Sequence, residues 1–320
     1  MRQRLRQSKG LPDYCQLLDQ ELWAFLARTE RHYPPDAVNL SVAEQRQVYD
    51  AMCADFDLGQ PEGLTVVDKS FSGVRCRVYT PPETVAGKVV FFHGGGFVVG
   101  GLDSHDSICA ELSTATGLEF VAVDYRLSPE HPYPNDFNDA WAVFDEISED
   151  NNSPLVLCGD SAGGNLAAAV AHKARNKGAS PSGVLLIYPG LGGDFSWPSY
   201  IDHANAPGLS TRDMEFYGNL RSAGRDLSGD PYYAPLQDAD FSGLPPTVVI
   251  TAACDPLASD GEVYCTRIKA AGGEALWVNE EGLVHAFLRA RNMSAKARAS
   301  FDRMIVSLKS LRTGSLPDLA

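Results

Sequence analysis

Two glycine-rich motifs, each placed directly after an apolar, β-prone run, constrain this chain more than any bulk property. Lys88-Val89-Val90-Phe91-Phe92 precedes His93-Gly94-Gly95-Gly96-Phe97, and Pro154-Leu155-Val156-Leu157-Cys158 precedes Gly159-Asp160-Ser161-Ala162-Gly163-Gly164. The second fits G-x-S-x-G, in which a sharp strand-to-helix turn pushes a serine hydroxyl out above a sheet. Gly159 and Gly163 suit that turn because they lack a Cβ, which lets strand and helix approach around a strained backbone. The first motif fits a loop whose backbone N–H groups face a developing negative charge. A lone G-x-S-x-G arises by chance roughly 0.2 times in a chain of this composition, so the pairing of two such motifs at two strand ends carries the weight.

The pattern around these motifs predicts an α/β fold. Strands are expected at 63–70, 74–79, 88–92, 119–124, 154–158, 183–188, 246–252 and 275–279. Helices are expected at 105–117, 135–149, 162–177, 257–272 and 295–312 between and after them. The first two strands are close enough for an antiparallel hairpin, and the alternation that follows implies a mostly parallel eight-stranded sheet with helices on both faces. Helical spacing at 12–30 and at 41–55, the latter opened by a Ser41/Glu44 capping box, makes the first sixty or so residues helical. A long strand-free stretch lies between Pro189 and Pro245, and a structureless loop of that length is out of place in a compact domain. It reads as short helices, one near Thr211–Tyr217. The expected organisation is an N-terminal helical cap segment at 1–62 and a catalytic domain at 63–320 with a cap insertion at about 190–245.

Composition narrows the class. The chain has 320 residues, 44% hydrophobic and 21% charged, with a net charge of −14; a surface that acidic repels phosphate backbones and argues against nucleic acid as a partner. Seven scattered cysteines without C-x-x-C give neither a disulfide framework nor a zinc site, and free thiols fit a cytoplasmic location. The basic start, Met1 to Lys9, is not followed by an apolar run long enough for a signal sequence or a membrane span. There is no P-loop and no metal-ligand spacing.

A serine becomes a nucleophile only beside a positioned imidazole, which in turn needs a carboxylate to fix its tautomer. Both partners belong just past the ends of later strands. Asp255 projects from the turn between strand 246–252 and a helix opened by Pro256, whereas Asp260 falls inside that helix and Asp238 and Asp240 precede the strand. His285 follows the final strand on a glycine-containing loop and is the one histidine C-terminal to Asp255. His93 is expected to brace the glycine loop through a ring bond to a carbonyl. His105, His131 and His203 are expected at the surface or in loops, with His172 in mid-helix and His32 in the N-terminal segment.

The set His93-Gly-Gly-Gly-Phe97, Asp124-Tyr-Arg-Leu-Ser-Pro-Glu130, Gly159-Asp-Ser-Ala-Gly-Gly164, Asp255-Pro-Leu257 and His285-Ala-Phe287 resembles the hormone-sensitive-lipase-like branch of the α/β-hydrolases from about residue 70 onward. Gly100-Gly-Leu-Asp-Ser-His-Asp106 makes it similar to the bacterial acetyl esterases of that branch. The resemblance implies hydrolysis of short-chain carboxylic esters without a cofactor, beneath a helical cap. It implies Ser161 as nucleophile, His285 as base and Asp255 as its orienter. It also implies an oxyanion hole from the backbone N–H groups of Gly95, Gly96 and Ala162, with Gly94 shaping the turn. Ala286 stands where many relatives have glycine, a change confined to local loop shape.

Tyr188, Phe195, Trp197, Leu209 and Phe287 are candidates for lining the substrate pocket or for packing between cap and sheet. An amidase or deacetylase with the same triad, and a ligand-binding member of the fold without catalysis, are the alternative functions; the presence of His285 argues against the second. Monomer and homodimer both remain open.

Overall fold

The computed structural model describes residues 12–34, 40–149, 153–178 and 180–319. The basic stretch from Met1 to Lys9 lies outside them. Strands β1 (Thr65–Phe71), β2 (Val74–Thr80), β3 (Lys88–Phe92), β4 (Glu119–Val123), β5 (Leu155–Asp160), β6 (Gly183–Ile187), β7 (Thr247–Cys254) and β8 (Ala275–Val284) form one sheet in the order β1-β2-β4-β3-β5-β6-β7-β8. β1 and β2 pair antiparallel, as do β2 and β4; β3 to β8 run parallel.

The central strands are apolar on both faces because both faces are covered. Val89, Phe91, Val156 and Cys158 point into one core, and Val90, Phe92, Leu155 and Leu157 into the other. Alternate side chains of one strand thus serve opposite cores, each buried large side chain contributing about 1.5–3 kcal/mol. Helices α4 (Asp106–Thr116) and α10 (Ala295–Leu311) lie on the first face; α5 (Asn135–Ser148), α6 (Ala162–Lys177) and α9 (Ala258–Ala270) lie on the second. In α6 the buried run Ala167, Ala168, Ala169 and Ala171 keeps side chains short and lets the helix sit close on β3, β5 and β6.

Ahead of the sheet, the helix expected at 12–30 is two helices, α1 (Tyr14–Leu17) and α2 (Gln20–Glu30). The break has a local cause: Asp19 caps α2 by accepting the Leu22 N–H, and Leu18 is extended. Helix α3 (Val42–Asp55) opens with the Ser41/Glu44 capping box. Between β6 and β7 the chain forms α7 (Pro198–Asp202) and α8 (Thr211–Ser222). Strand β8 runs five residues beyond its expected end. It passes through Gly282, whose φ of +70° accommodates an irregularity in the β7/β8 register. No helix among the described residues is long and apolar enough to cross a membrane.

Candidate active site

The turn after β5 is as sharp as the motif requires. Ser161 has φ +53° and ψ −117°, and its N–H donates to Ile187 O at 2.8 Å. A Cβ at Gly159 would meet Gly163 O at 2.3 Å, and one at Gly163 would meet Phe92 O at 1.9 Å. Only glycine permits that approach of strand and helix.

Asp255 and His285 reach Ser161 through the irregular β7/β8 pairing. Cys254 lies opposite Val284, so the residues that follow them leave the sheet side by side. His285 is therefore not on a free loop; it is the first residue beyond a strand prolonged by the Gly282 bulge. Its Nδ1 lies 2.6 Å from Asp255 Oδ2 and its Nε2 lies 2.9 Å from Ser161 Oγ. Asp255 is fully buried, and its Oδ1 also accepts the Leu257 N–H at 3.0 Å. The turn leading into α9 and the imidazole thus use different oxygens of one carboxylate, and the N-cap of α9 is Leu257, with no side-chain cap.

The glycine loop after β3 curls toward the serine with φ +128° at Gly95, +60° at Gly96 and +64° at Phe97. The N–H groups of Gly95, Gly96 and Ala162 have no acceptor among the described residues. Gly94 differs: its N–H donates to Asp160 Oδ1 at 2.8 Å, so it shapes the loop and cannot face an oxyanion. His93 Nδ1 lies 2.8 Å from Gly94 O, its ring stacks on Tyr125, and burial drives its pKa down to about 3.

Asp160 is a residue that motif reading left unassigned, although it occupies the variable position before the serine. Besides Gly94 it meets His105 Nε2 at 3.2 Å and the Tyr188 hydroxyl at 3.3 Å. Burial works to raise its pKa, but His105, Arg289 and the Gly94 N–H outweigh it and hold the carboxyl below its ordinary range. His105 is accordingly not a surface residue: it is 2% exposed, packed between this carboxylate and Arg289. His203 sits at the end of α7 beside Tyr14, His131 is exposed, and His32 pairs with Asp55. His172 is buried in α6 between Asp238 and Tyr264.

Two cavities meet at Ser161. One, of about 160 Å³, includes His285, Gly95 and Tyr188 with Leu26 and Met52 from the N-terminal helices. The other, of about 230 Å³, includes Ala162 with Gly193, Phe195, Met214 and Arg221. Leu209 and Tyr217 line both. Of the five expected pocket residues, Tyr188, Phe195 and Leu209 therefore reach a cavity wall. Trp197 and Phe287 do not. Phe287 is fully buried edge-on beneath the Tyr188 ring at 5.1 Å, and Trp197 packs behind Gly193, where a Cβ would lie 2.6 Å from its ring. Both hold wall residues from behind. The missed lining residues, Leu26, Met52 and Met214, carry no local signal, because only the placement of distant helices brings them over the serine.

Residues 89–289 match the family described as the α/β hydrolase fold. The esterase LipI of Mycobacterium tuberculosis is 35% identical over 262 residues, covering 77% of this chain and 82% of LipI. An ethyl acetate hydrolase of Pseudomonas putida is 31% identical over 246 residues, covering 73% of this chain and 77% of that enzyme. The hyperthermophilic esterase of Pyrobaculum calidifontis superimposes with a TM-score of 0.82 at 29% identity, over 92% of this chain and 99% of that one. The chain belongs to the α/β-hydrolase family and has carboxylic-ester hydrolases among its relatives.

Proposed function

We propose that this member of a carboxylic-ester-hydrolase family cleaves short-chain acyl esters by a serine mechanism, with Ser161 as nucleophile, His285 as base and Asp255 as orienter. The observation that carries the reading is the continuous contact Ser161 Oγ–His285 Nε2–Asp255 at 2.9 and 2.6 Å, opposite three unengaged backbone N–H groups. Ser161 Oγ attacks the ester carbonyl while His285 takes its proton. The oxyanion is held by the N–H groups of Gly95, Gly96 and Ala162, each such donor being worth about 3 kcal/mol in the transition state. As the tetrahedral intermediate collapses, the C–O bond to the alcohol breaks and His285 protonates the departing alkoxide. Water then repeats the sequence on the acyl-enzyme, releasing the acid and restoring the serine. No step calls on a cofactor.

The leaving oxygen has to lie within reach of His285, so the alcohol belongs in the cavity that His285 lines and the acyl group in the one lined by Ala162. At about 230 Å³ the acyl cavity holds on the order of seven or eight water-sized groups. That size, with similarity to an ethyl acetate hydrolase, supports acetyl to medium acyl groups. The N-terminal helices and the α7–α8 segment act as the cap over both cavities.

A series of p-nitrophenyl esters from acetyl to dodecanoyl, run beside the matched anilides, tests this. Turnover should be greatest among the shorter acyl chains and fall steeply toward dodecanoyl, with anilides cleaved far more slowly. Comparable anilide turnover would shift the reading to an amidase, and no turnover by folded protein on any member would overturn catalysis altogether.

A further inference from the structure

Three successive residues of the glycine loop, Gly95, Gly96 and Phe97, have positive φ, and the third is not glycine. Such a run persists only where its surroundings over-determine it. Two residues one turn apart on α8 sit on it. The Tyr217 ring covers Gly96 so closely that a Cβ there would lie 2.6 Å from the ring. The Arg221 guanidinium carbon lies 3.6 Å from the centroid of the Phe97 ring.

Arg221 is fixed from behind. It is 2% exposed; its Nε donates to Asp136 Oδ2 at 2.7 Å and its Nη1 to Tyr233 O at 3.0 Å. Its own carbonyl accepts the Tyr133 N–H at 2.9 Å. Asp136 belongs to the first turn of α5, so the pair rivets α8 to a helix packed on the sheet. Arg221 Nη2 has no acceptor among the described residues. Asp136 and Tyr233 thus hold one edge of the guanidinium while its face covers the Phe97 ring.

We propose that α8 is part of the catalytic support. Tyr217 and Arg221 clamp the Gly95–Phe97 backbone so that the Gly95 and Gly96 N–H groups stay aimed at the oxyanion, with Arg221 as a positioning residue. The proposal rests on those N–H groups being oxyanion donors. It couples the cap to the rate of the chemical step, beyond the part that both residues take in the cavity walls.

The test uses Arg221→Met, Arg221→Lys and Tyr217→Leu in the full chain. The probes are an aryl trifluoromethyl ketone, which adds Ser161 to form a tetrahedral oxyanion, and the matched methyl ketone as a ground-state ligand. Arg221→Met is expected to lower kcat by about tenfold to a hundredfold and to weaken the trifluoromethyl ketone by the same factor. KM for p-nitrophenyl butanoate and affinity for the methyl ketone, which read the cavity walls that both residues also form, should change by a clearly smaller factor. Arg221→Lys, which keeps a cation for Asp136, should recover part of the loss. Tyr217 is less buried than Arg221, so Tyr217→Leu keeps the test open if Arg221→Met fails to fold, and should show the same paired loss. An unchanged kcat, a change in KM alone, or a fall in kcat without a parallel loss of trifluoromethyl ketone affinity would overturn the clamp. Failure of that ketone to inhibit the unmodified enzyme would instead overturn the serine and oxyanion reading beneath it.

Discussion

The carboxylate of Asp160 accepts the backbone N–H of Gly94 at 2.8 Å, tying the residue before Ser161 to the first glycine of the facing loop. The two glycine motifs are thus joined by a hydrogen bond between a side chain of one and the backbone of the other. Removing the charge of Asp160 while keeping its size should loosen that register. Asp160→Asn is expected to cost about 1–3 kcal/mol of stability and to lower kcat more than KM changes, read by thermal denaturation and steady-state kinetics on one preparation.

The Asp255–His285 contact orders a different loss. Ser161→Ala should reduce kcat by about 10⁴-fold or more, and Asp255→Asn by about 10⁴-fold, because an asparagine presents the wrong partner to the imidazole N–H. Circular dichroism should show both variants folded. Substantial turnover by Ser161→Ala would remove that serine as the nucleophile.

Gly95 leaves no room for a side chain. A Cβ there would lie 2.1 Å from Val99 O, at a φ of +128°. Gly95→Ala therefore cannot be accommodated in place. The loop must deform, and kcat should fall by about a hundredfold or more as its N–H turns away. The same substitution at Gly73, also at positive φ but with nothing within 4 Å of the added carbon, should leave kcat unchanged within experimental error.

Asp260 is buried within α9 and accepts the Leu191 and Gly193 N–H groups and the Tyr200 hydroxyl, holding the wall of the cavity that Ala162 lines. Burial pushes its pKa up to about 7 against those three donors. Its folded pKa is above the unfolded value of about 3.9, so between these limits the folded state binds more protons than the unfolded chain. Stability from this group is present at pH 4 and is lost as pH rises through about 7. On the order of 4 kcal/mol is at stake. The stability difference between the unmodified enzyme and Asp260→Asn should therefore drift against the unmodified enzyme from pH 5 to pH 8 in chemical denaturation. A pH-independent difference would count against a protonated Asp260.

Most of the sheet was legible because its strands are short apolar runs bounded by breakers, and because glycine at 159 and 163 leaves few alternatives to the turn that exposes Ser161. Asp255 and His285 were legible by order and strand position. Their contact was not. It depends on the Gly282 bulge, which prolongs β8 and sets Val284 opposite Cys254, a register no single strand encodes. The helix break at Leu18 escaped the periodicity for a similar reason: one capping aspartate outweighed an uninterrupted apolar stripe.

The sequence by itself determined the α/β class, the strand-end placement of the two motifs, and the positions of Ser161, Asp255 and His285 at or just past strand ends. These are local matters of φ, ψ and hydrophobic period. Only the tertiary structure decided that Gly94 spends its N–H on Asp160, that His105 is buried beside it, that Phe287 and Trp197 stand behind the cavity walls, and that Arg221 lies on Phe97. Each of those relations joins residues far apart in the chain, and which distant groups share a buried space follows from how helices pack over the sheet.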